Sequence, residues 1–232
     1  MLIRILICSA IFLYLSVSSA HAENTKTTLN RCDATGEKTE ISIKSTDQGF
    51  KVSNQYTTKN LNTKSLNSFS GDFVAGLTSL ESKTTIDIEG PTWQDKSKEG
   101  ECFAAKIRIR LIYQPIKVYI GSEFTEGSCI YNTILEHEMQ HVNIYRESLL
   151  KIENIVKDLM EKRFAGKPIY AAKNSSKRAL DNEIDEIWRP LIKSEFAKVQ
   201  IQQNELDSDE NLDKLSWACL GAIQSEFGSR FR

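Results

Sequence analysis

Histidine is scarce in this chain, and its placement is the most informative feature of the composition. Three histidines occur among 232 residues, and His21 lies in an N-terminal segment that we expect to be removed. The other two, His137 and His141, are four residues apart. Histidines used for packing or at the surface would rarely be confined to one such pair, so we interpret this pair as functional.

The chain also lacks an excess of charge. It has 30 basic and 31 acidic residues, a formal net charge of −1. This balance gives no reason to expect binding to nucleic acid or to anionic lipid. Internal repeats and low-complexity segments are absent, and the length suits one sizeable domain. We therefore treat residues 23–232 as a single domain of unknown oligomeric state.

Long apolar runs are missing except at the N-terminus. Arg4 precedes an apolar run over residues 5–17, and Ala20-His21-Ala22 follows with the small residues of a cleavage site. The run is short for a membrane span, so we predict a signal peptide over residues 1–22. The mature protein would be periplasmic or secreted, with no stable membrane insertion after cleavage.

Cysteine is limited to five residues, and Cys8 leaves with the signal peptide. The remaining four are too scattered for a CxxC zinc site. An even number of cysteines in an exported chain predicts two disulfides, for which three pairings are possible. We favour Cys102–Cys129 and Cys32–Cys219.

The first half of the chain carries the period-2 pattern of β-strands, and the second half has helical periodicity. Strands are predicted over 39–44, 49–57, 84–88 and 103–120, the last interrupted by Pro115, with a helix over 72–80. Helices are predicted over 131–164, 176–203 and 212–227. Pro190 is expected to kink the second of these helices. We therefore expect an α+β fold in which a small N-terminal antiparallel sheet packs on a long helical hairpin.

The predicted helix 131–164 carries the sequence His137-Glu138-Met139-Gln140-His141, an HExxH motif. Residues i and i+4 differ by about 40° around a helix, so both imidazoles can bind one Zn²⁺ ion. A zinc ion lowers the pKa of a water molecule and polarises a peptide carbonyl. Glu138 would act as the general base towards this metal-activated water. The motif predicts a zinc metallopeptidase of the gluzincin type.

A third metal ligand has to be a carboxylate, because the mature chain has no third histidine. Glu147 is close in sequence, but on a continuous helix it points about 120° away from His141. No glycine follows His141 to end the helix early, so we reject Glu147.

The helical hairpin offers better candidates. If Arg163 and Ser175 flank the turn between the two antiparallel helices, the residue of the second helix that lies beside His141 is about residue 197. Glu195 lies near that level, within an apolar stripe where a carboxylate needs a partner. We therefore prefer Glu195 as the third ligand, and Asp207 and Glu205 are the alternatives.

Two further features can serve a peptidase, although an ordinary structural role is favoured for each. Tyr145 lies one turn beyond His141, and its phenol can stabilise an oxyanion, but packing is the simpler interpretation. The strand region 103–120 can offer an edge to an extended peptide, but its ordinary role is to form the sheet.

Several segments occur in an order that resembles a known family. They are Gly90-Pro91-Thr92-Trp93, Cys102, the strand KIRIRLIY, the helix start HEMQHVNIYRE and residues 204–208 (NELDS). Over about residues 50–215 the chain resembles bacterial secreted or periplasmic zinc-dependent peptidases described as a domain of unknown function. The resemblance implies that His137 and His141 bind zinc and that Glu138 is a base. It also favours Asp207 as the third zinc ligand more strongly than the helix geometry does.

Two other hypotheses remain open. The protein can be a non-catalytic, zinc-stabilised envelope protein that binds or assembles with other molecules, or a metal-free structural protein of the envelope. A peptidase would have a peptide or protein as its partner and would depend on Glu138, whereas a binding protein would hold zinc without turnover.

Overall fold

The computed structural model describes Cys32 and residues 36–65, 74–95, 99–164 and 166–227. The predicted signal peptide lies outside these residues. The predicted α+β class is confirmed: small sheets form from the first half of the chain, and the second half is mainly helical. The strands are β1 (Glu40–Asp47), β2 (Phe50–Ser53), β3 (Gly76–Ser79), β4 (Ser82–Glu89), β5 (Thr92–Gln94), β6 (Gly100–Phe103), β7 (Lys106–Tyr113), β8 (Ile116–Ile120) and β9 (Ile169–Ala172).

The helices follow the sequence prediction in the second half and add one short helix in the first. They are α1 (Thr58–Lys64), α2 (Cys129–Phe164), α3 (Ser176–Glu183), a π-helix (Ile184–Trp188), α4 (Arg189–Leu206), α5 (Asp209–Ser216) and α6 (Ala218–Phe227). The helix predicted over 72–80 is wrong where the structure describes it, because residues 76–79 form β3. The return helix extends to Leu206, beyond its predicted end at residue 203, and α5 begins at Asp209, before the predicted start at residue 212.

Strands β7 and β8 form the centre of the fold. One sheet has the order β1-β7-β4 and a second has the order β2-β8-β3. In both sheets the first strand is parallel to the central strand and the other is antiparallel to it, so the sheets are mixed rather than purely antiparallel. Because β7 and β8 are paired on both sides, the suggestion that region 103–120 provides a free edge is wrong.

Strand β7 shows why this sheet has one buried face. Its alternating side chains Ile107, Ile109 and Leu111 are fully buried and pack against apolar residues of α2 and α4. Between them, Arg108 and Arg110 face outward and form ion pairs with Glu89 and Asp87 of β4. The period-2 pattern thus positions the sheet against the helices.

Helix α2 is the longest element, with 36 residues and a length of about 54 Å. The chain returns antiparallel to it through α3, the π-helix and α4. Pro190 lies in the first turn of α4, directly after the π-helix, so the helical run continues past it. None of the helices in the described parts of the chain is both long and apolar enough to cross a bilayer.

Two disulfides are present, but the predicted pairing is wrong. Cys32 is bonded to Cys102, with Cα atoms 5.7 Å apart. Cys129 is bonded to Cys219, with Cα atoms 5.9 Å apart. The second bond joins the first residue of α2 to α6, because the C-terminal helices fold back over the start of α2. Both bonds indicate an oxidising compartment.

The disulfide pairing gives a direct prediction. Peptide mapping of the oxidised protein under non-reducing conditions should yield two linked species, Cys32–Cys102 and Cys129–Cys219. Replacing both Cys129 and Cys219 by serine should lower the free energy of unfolding by roughly 2–4 kcal/mol, because a long loop of the unfolded chain is no longer closed. Recovery of a Cys102–Cys129 peptide would contradict the structure.

Candidate metal centre

Helix α2 presents three polar side chains from one buried segment. His137, Glu138 and His141 are 8%, 5% and 6% exposed. Apolar neighbours on the same helix, Ile134 and Val142, hold this segment against β8. Buried ionisable groups are costly unless they are partnered, so the contacts of these three residues define the site.

Asp207 reaches both imidazoles from the end of α4. Its Oδ1 atom lies 3.1 Å from His137 Nε2 and 2.9 Å from His141 Nε2. The two Nε2 atoms are 3.2 Å apart. Asp207 is the first residue beyond α4, and its side chain is half exposed. His137, His141 and Asp207 therefore form one compact group.

The spacing of this group fits a metal ion. A tetrahedral Zn²⁺ with ligand bonds of about 2.0–2.1 Å holds its ligand atoms about 3.3–3.4 Å apart. The three separations between Nε2, Nε2 and Oδ1 are close to that value, and all the ligand atoms lie within 4.8 Å of one another. His137, His141 and Asp207 can therefore hold a metal ion, with two nitrogens and one oxygen as donors.

Gln203 determines which nitrogen of His141 faces this group. The Gln203 amide nitrogen donates to the backbone oxygen of His141 at 3.1 Å, which orients the amide. Its Oε1 atom therefore accepts a hydrogen bond from Nδ1–H of His141. In the neutral ring, Nε2 is consequently unprotonated and available to a metal.

The charges within the group favour an ionised carboxylate. Burial raises the pKa of Asp207, but hydrogen bonds with His137 and His141 outweigh burial and lower it to about 2. Burial lowers the pKa of His141, but its hydrogen bond with Asp207 and the charges of Glu138 and Asp207 outweigh burial and raise it. A carboxylate that stays ionised and a neighbouring ring that favours positive charge suit a cation.

Glu138 is held separately, against the edge strand β3. The Thr78 hydroxyl donates to Glu138 Oε2 at 2.6 Å, and Thr78 Oγ1 lies 3.2 Å from the Glu138 backbone oxygen. A Cβ atom on Gly76 would collide with the Glu138 carboxylate and would lie 2.7 Å from Ile134 Cγ2. Glycine at position 76 thus lets β3 approach α2 closely.

Burial controls the acidity of Glu138. It raises the pKa of this carboxyl group, and the charges of His141 and His137 and the hydrogen bond from Thr78 oppose it only in part. A carboxylate with a raised pKa accepts and returns a proton more readily near neutral pH.

Glu195, the preferred third ligand, does not join the group. It is buried as predicted, but its Oε1 atom accepts a hydrogen bond from Lys198 Nζ at 2.6 Å. Of the two alternatives, Asp207 reaches the imidazoles, whereas Glu205 is exposed and is not part of the group. Glu147 is also exposed, on a helix that continues to Phe164.

The misplacement of Glu195 has a geometric cause in the hairpin. The prediction assumed that Arg163 faces Ser175 across the turn. In the structure Arg163 forms an ion pair with Glu183, about eight residues further along the return helix. A displacement in the same direction, here of about six residues, brings Gln203 rather than a residue near 197 to the level of His141.

Three residues around the site were not predicted from the sequence. The sequence pattern around Gln203 could have identified it. It lies four residues after the buried Val199, and a polar residue that continues an apolar stripe needs a hydrogen-bond partner. Thr78 and Gly76 had no such pattern, since the short strand that carries them has no clear periodicity.

Asp207 and Glu195 can be distinguished by matched substitutions. Asp207→Asn should weaken zinc binding by roughly 10-fold or more, because it removes the anionic ligand. Glu195→Gln should leave zinc affinity unchanged, because that carboxylate pairs with Lys198. Competition with a chromophoric chelator measures both affinities, and the opposite ranking would show that Glu195 is the ligand.

Gln203 provides a second test. Gln203→Leu should lower zinc affinity roughly 10- to 100-fold, because His141 loses the acceptor that fixes its ring. Gln202→Leu is the matched control, since Gln202 is exposed and contacts Ser148 rather than the histidines. Equal affinities for the two variants would contradict the role given to Gln203.

Comparison with known proteins leaves the site to be interpreted from its own geometry. No protein-family model, no curated protein and no solved structure matches the chain. The resemblance to zinc-dependent peptidases therefore stays a prediction from the sequence.

Proposed function

We propose that the protein is an exported zinc metallopeptidase that hydrolyses peptide bonds, with Glu138 as general base. One observation carries the proposal: His137, His141 and Asp207 converge on a common point, and the buried Glu138 carboxylate belongs to the same turn of α2. Two imidazoles and one carboxylate are a donor set found in catalytic zinc sites, and such sites leave a ligand position for water.

The roles of the residues follow from their environments. His137, His141 and Asp207 would hold the cation, which when bound supplies Lewis acidity to a water molecule and to the scissile carbonyl. Glu138 would accept the proton of the attacking water and later deliver it to the leaving amine. Its raised pKa suits both steps, and the Thr78 hydroxyl keeps its carboxylate oriented while this occurs.

Strand β3 supports a peptide as the substrate. Within the described residues β3 pairs with β8 on one side only, and it contacts α2 at Glu138. An edge strand presents backbone N–H and C=O groups to which an extended peptide can bind. A peptide bound along β3 would pass close to Glu138, so the strand and the general base would act on the same chain.

The compartment is consistent with this assignment. Two disulfides favour an oxidising environment, and the N-terminal segment has the pattern of a signal peptide. We therefore include export, to the periplasm or beyond the cell, in the proposal.

The decisive experiment separates zinc binding from turnover. Zinc-loaded wild-type protein should cleave members of an internally quenched peptide library, and Glu138→Gln should lose at least about 10²-fold in kcat while retaining stoichiometric zinc. Glu136→Gln is the matched control, because it removes the same charge from an exposed position of the same helix. It should retain activity.

Two outcomes would overturn the proposal. If the wild-type protein holds zinc but cleaves no peptide of the library, a zinc-stabilised binding or assembly protein becomes the better interpretation. If purified protein binds no stoichiometric metal even when zinc is supplied, a metal-free structural role is favoured.

A further inference from the structure

Tyr145 lies one helical turn after His141 on α2, so the two side chains are neighbours on the surface of the helix. Its ring is half buried and packs against both apolar clusters of the domain. It meets Tyr113 edge-on, with ring centroids 6.1 Å apart. The ring is thus held in place by its packing, and packing alone accounts for the aromatic part of the side chain.

The hydroxyl group of Tyr145 is not explained by packing. Within the described part of the chain it makes no hydrogen bond, and it is not among the buried polar atoms that lack a partner. By contrast, the Tyr170 hydroxyl donates to Asp95. The Tyr145 hydroxyl is therefore accessible and available to a ligand.

The Tyr145 hydroxyl stays protonated in these surroundings. Burial raises the pKa of Tyr145, and the carboxylates of Asp207 and Glu138 raise it further. Both carboxylates belong to the site described above. A neutral phenol beside them is a hydrogen-bond donor at physiological pH.

Other donors around the metal group are already in use. The Gln203 amide donates to the His141 backbone, and the Thr78 hydroxyl donates to Glu138. Asp207 and the ionised Glu138 are acceptors only. A hydrogen bond to negative charge that develops on a substrate, in addition to the stabilisation by the metal ion, would therefore have to come from a donor other than these four residues.

We infer that the Tyr145 hydroxyl donates a hydrogen bond to the carbonyl oxygen of the scissile peptide as that oxygen becomes negatively charged. The inference rests on the proposed peptidase function and assigns a further catalytic residue to it. Attack by the water oxygen forms a C–O bond, the water proton passes to Glu138, and the carbonyl π electrons move onto the oxygen that Tyr145 contacts. Collapse re-forms the carbonyl and breaks the C–N bond, whose electron pair stays on nitrogen and takes the proton from Glu138.

The test compares Tyr145→Phe with Tyr113→Phe. Both changes remove one phenolic hydroxyl, and Tyr113 is a fully buried core residue whose ring packs on Tyr145. Tyr145→Phe should lower kcat roughly 10²-fold and leave KM and zinc affinity unchanged, because the donor acts only when the oxyanion forms. Tyr113→Phe should keep the wild-type kcat.

A second readout does not depend on turnover. A phosphinic peptide carries a tetrahedral, anionic P–O group that mimics the oxyanion. Its affinity should fall in Tyr145→Phe by a factor similar to the loss of kcat, whereas Tyr113→Phe should bind it as the wild type does. A purely structural role for Tyr145 would change thermal stability or zinc affinity and would not select against this ligand.

The outcomes separate this inference from the function on which it rests. A wild-type enzyme that cleaves peptides, together with a Tyr145→Phe variant of equal kcat and equal phosphinic-peptide affinity, overturns the inference alone. An equal loss in Tyr113→Phe also overturns it. A zinc-loaded wild-type protein that cleaves nothing overturns both the proposed function and the role of Tyr145.

Discussion

The structure depends on the convergence of three electron-pair donors that would repel one another without positive charge between them. Gln203 Oε1 accepts a hydrogen bond from Nδ1–H of His141, so the Nε2 lone pair of the neutral ring faces Asp207 Oδ1 and His137 Nε2. All three atoms are within about one hydrogen-bond length of each other. A buried arrangement of this kind is costly unless a cation or a shared proton compensates it, which is the physical reason to regard the group as a metal centre.

Two pairs of residues with the same spacing build this convergence. His137 and His141 are four residues apart on α2, and Gln203 and Asp207 are four residues apart at the end of α4. The two residues of each pair lie on adjacent helical turns. The contact between His141 and Gln203 therefore also brings Asp207 to the level of His137, one turn away. The Cys129–Cys219 bond holds the chain beyond Asp207 to the same helix that carries the histidines. Asp207 is therefore attached to α2 on both sides, by Gln203 before it and by the disulfide after it.

The sequence was sufficient for the parts of the molecule that depend on local pattern. Alternation in β7, the length of α2 and the histidine pair were all predictable, because each reflects the geometry of one element. The pairing of Cys129, the place of Glu195 and the contact from Thr78 were not, because each depends on how distant elements meet. Glu195 illustrates the limit: its burial was inferred correctly from the apolar stripe, but its partner is Lys198, since the register of the hairpin is set by the turn between Phe164 and Ser176.

The π-helix at Ile184–Trp188 has a consequence for everything that follows it on the return path. A π-turn holds one more residue than an α-turn, so it changes the rotational phase of all later side chains. If the same residues wound as a regular α-helix instead, the side chains of α4 would be turned by up to about 100° around the helix axis. Gln203 and Asp207 would then point away from His141, although neither residue had been altered. The ability to hold a cation thus depends partly on a wide helical turn that lies about twenty residues before the carboxylate that would bind it.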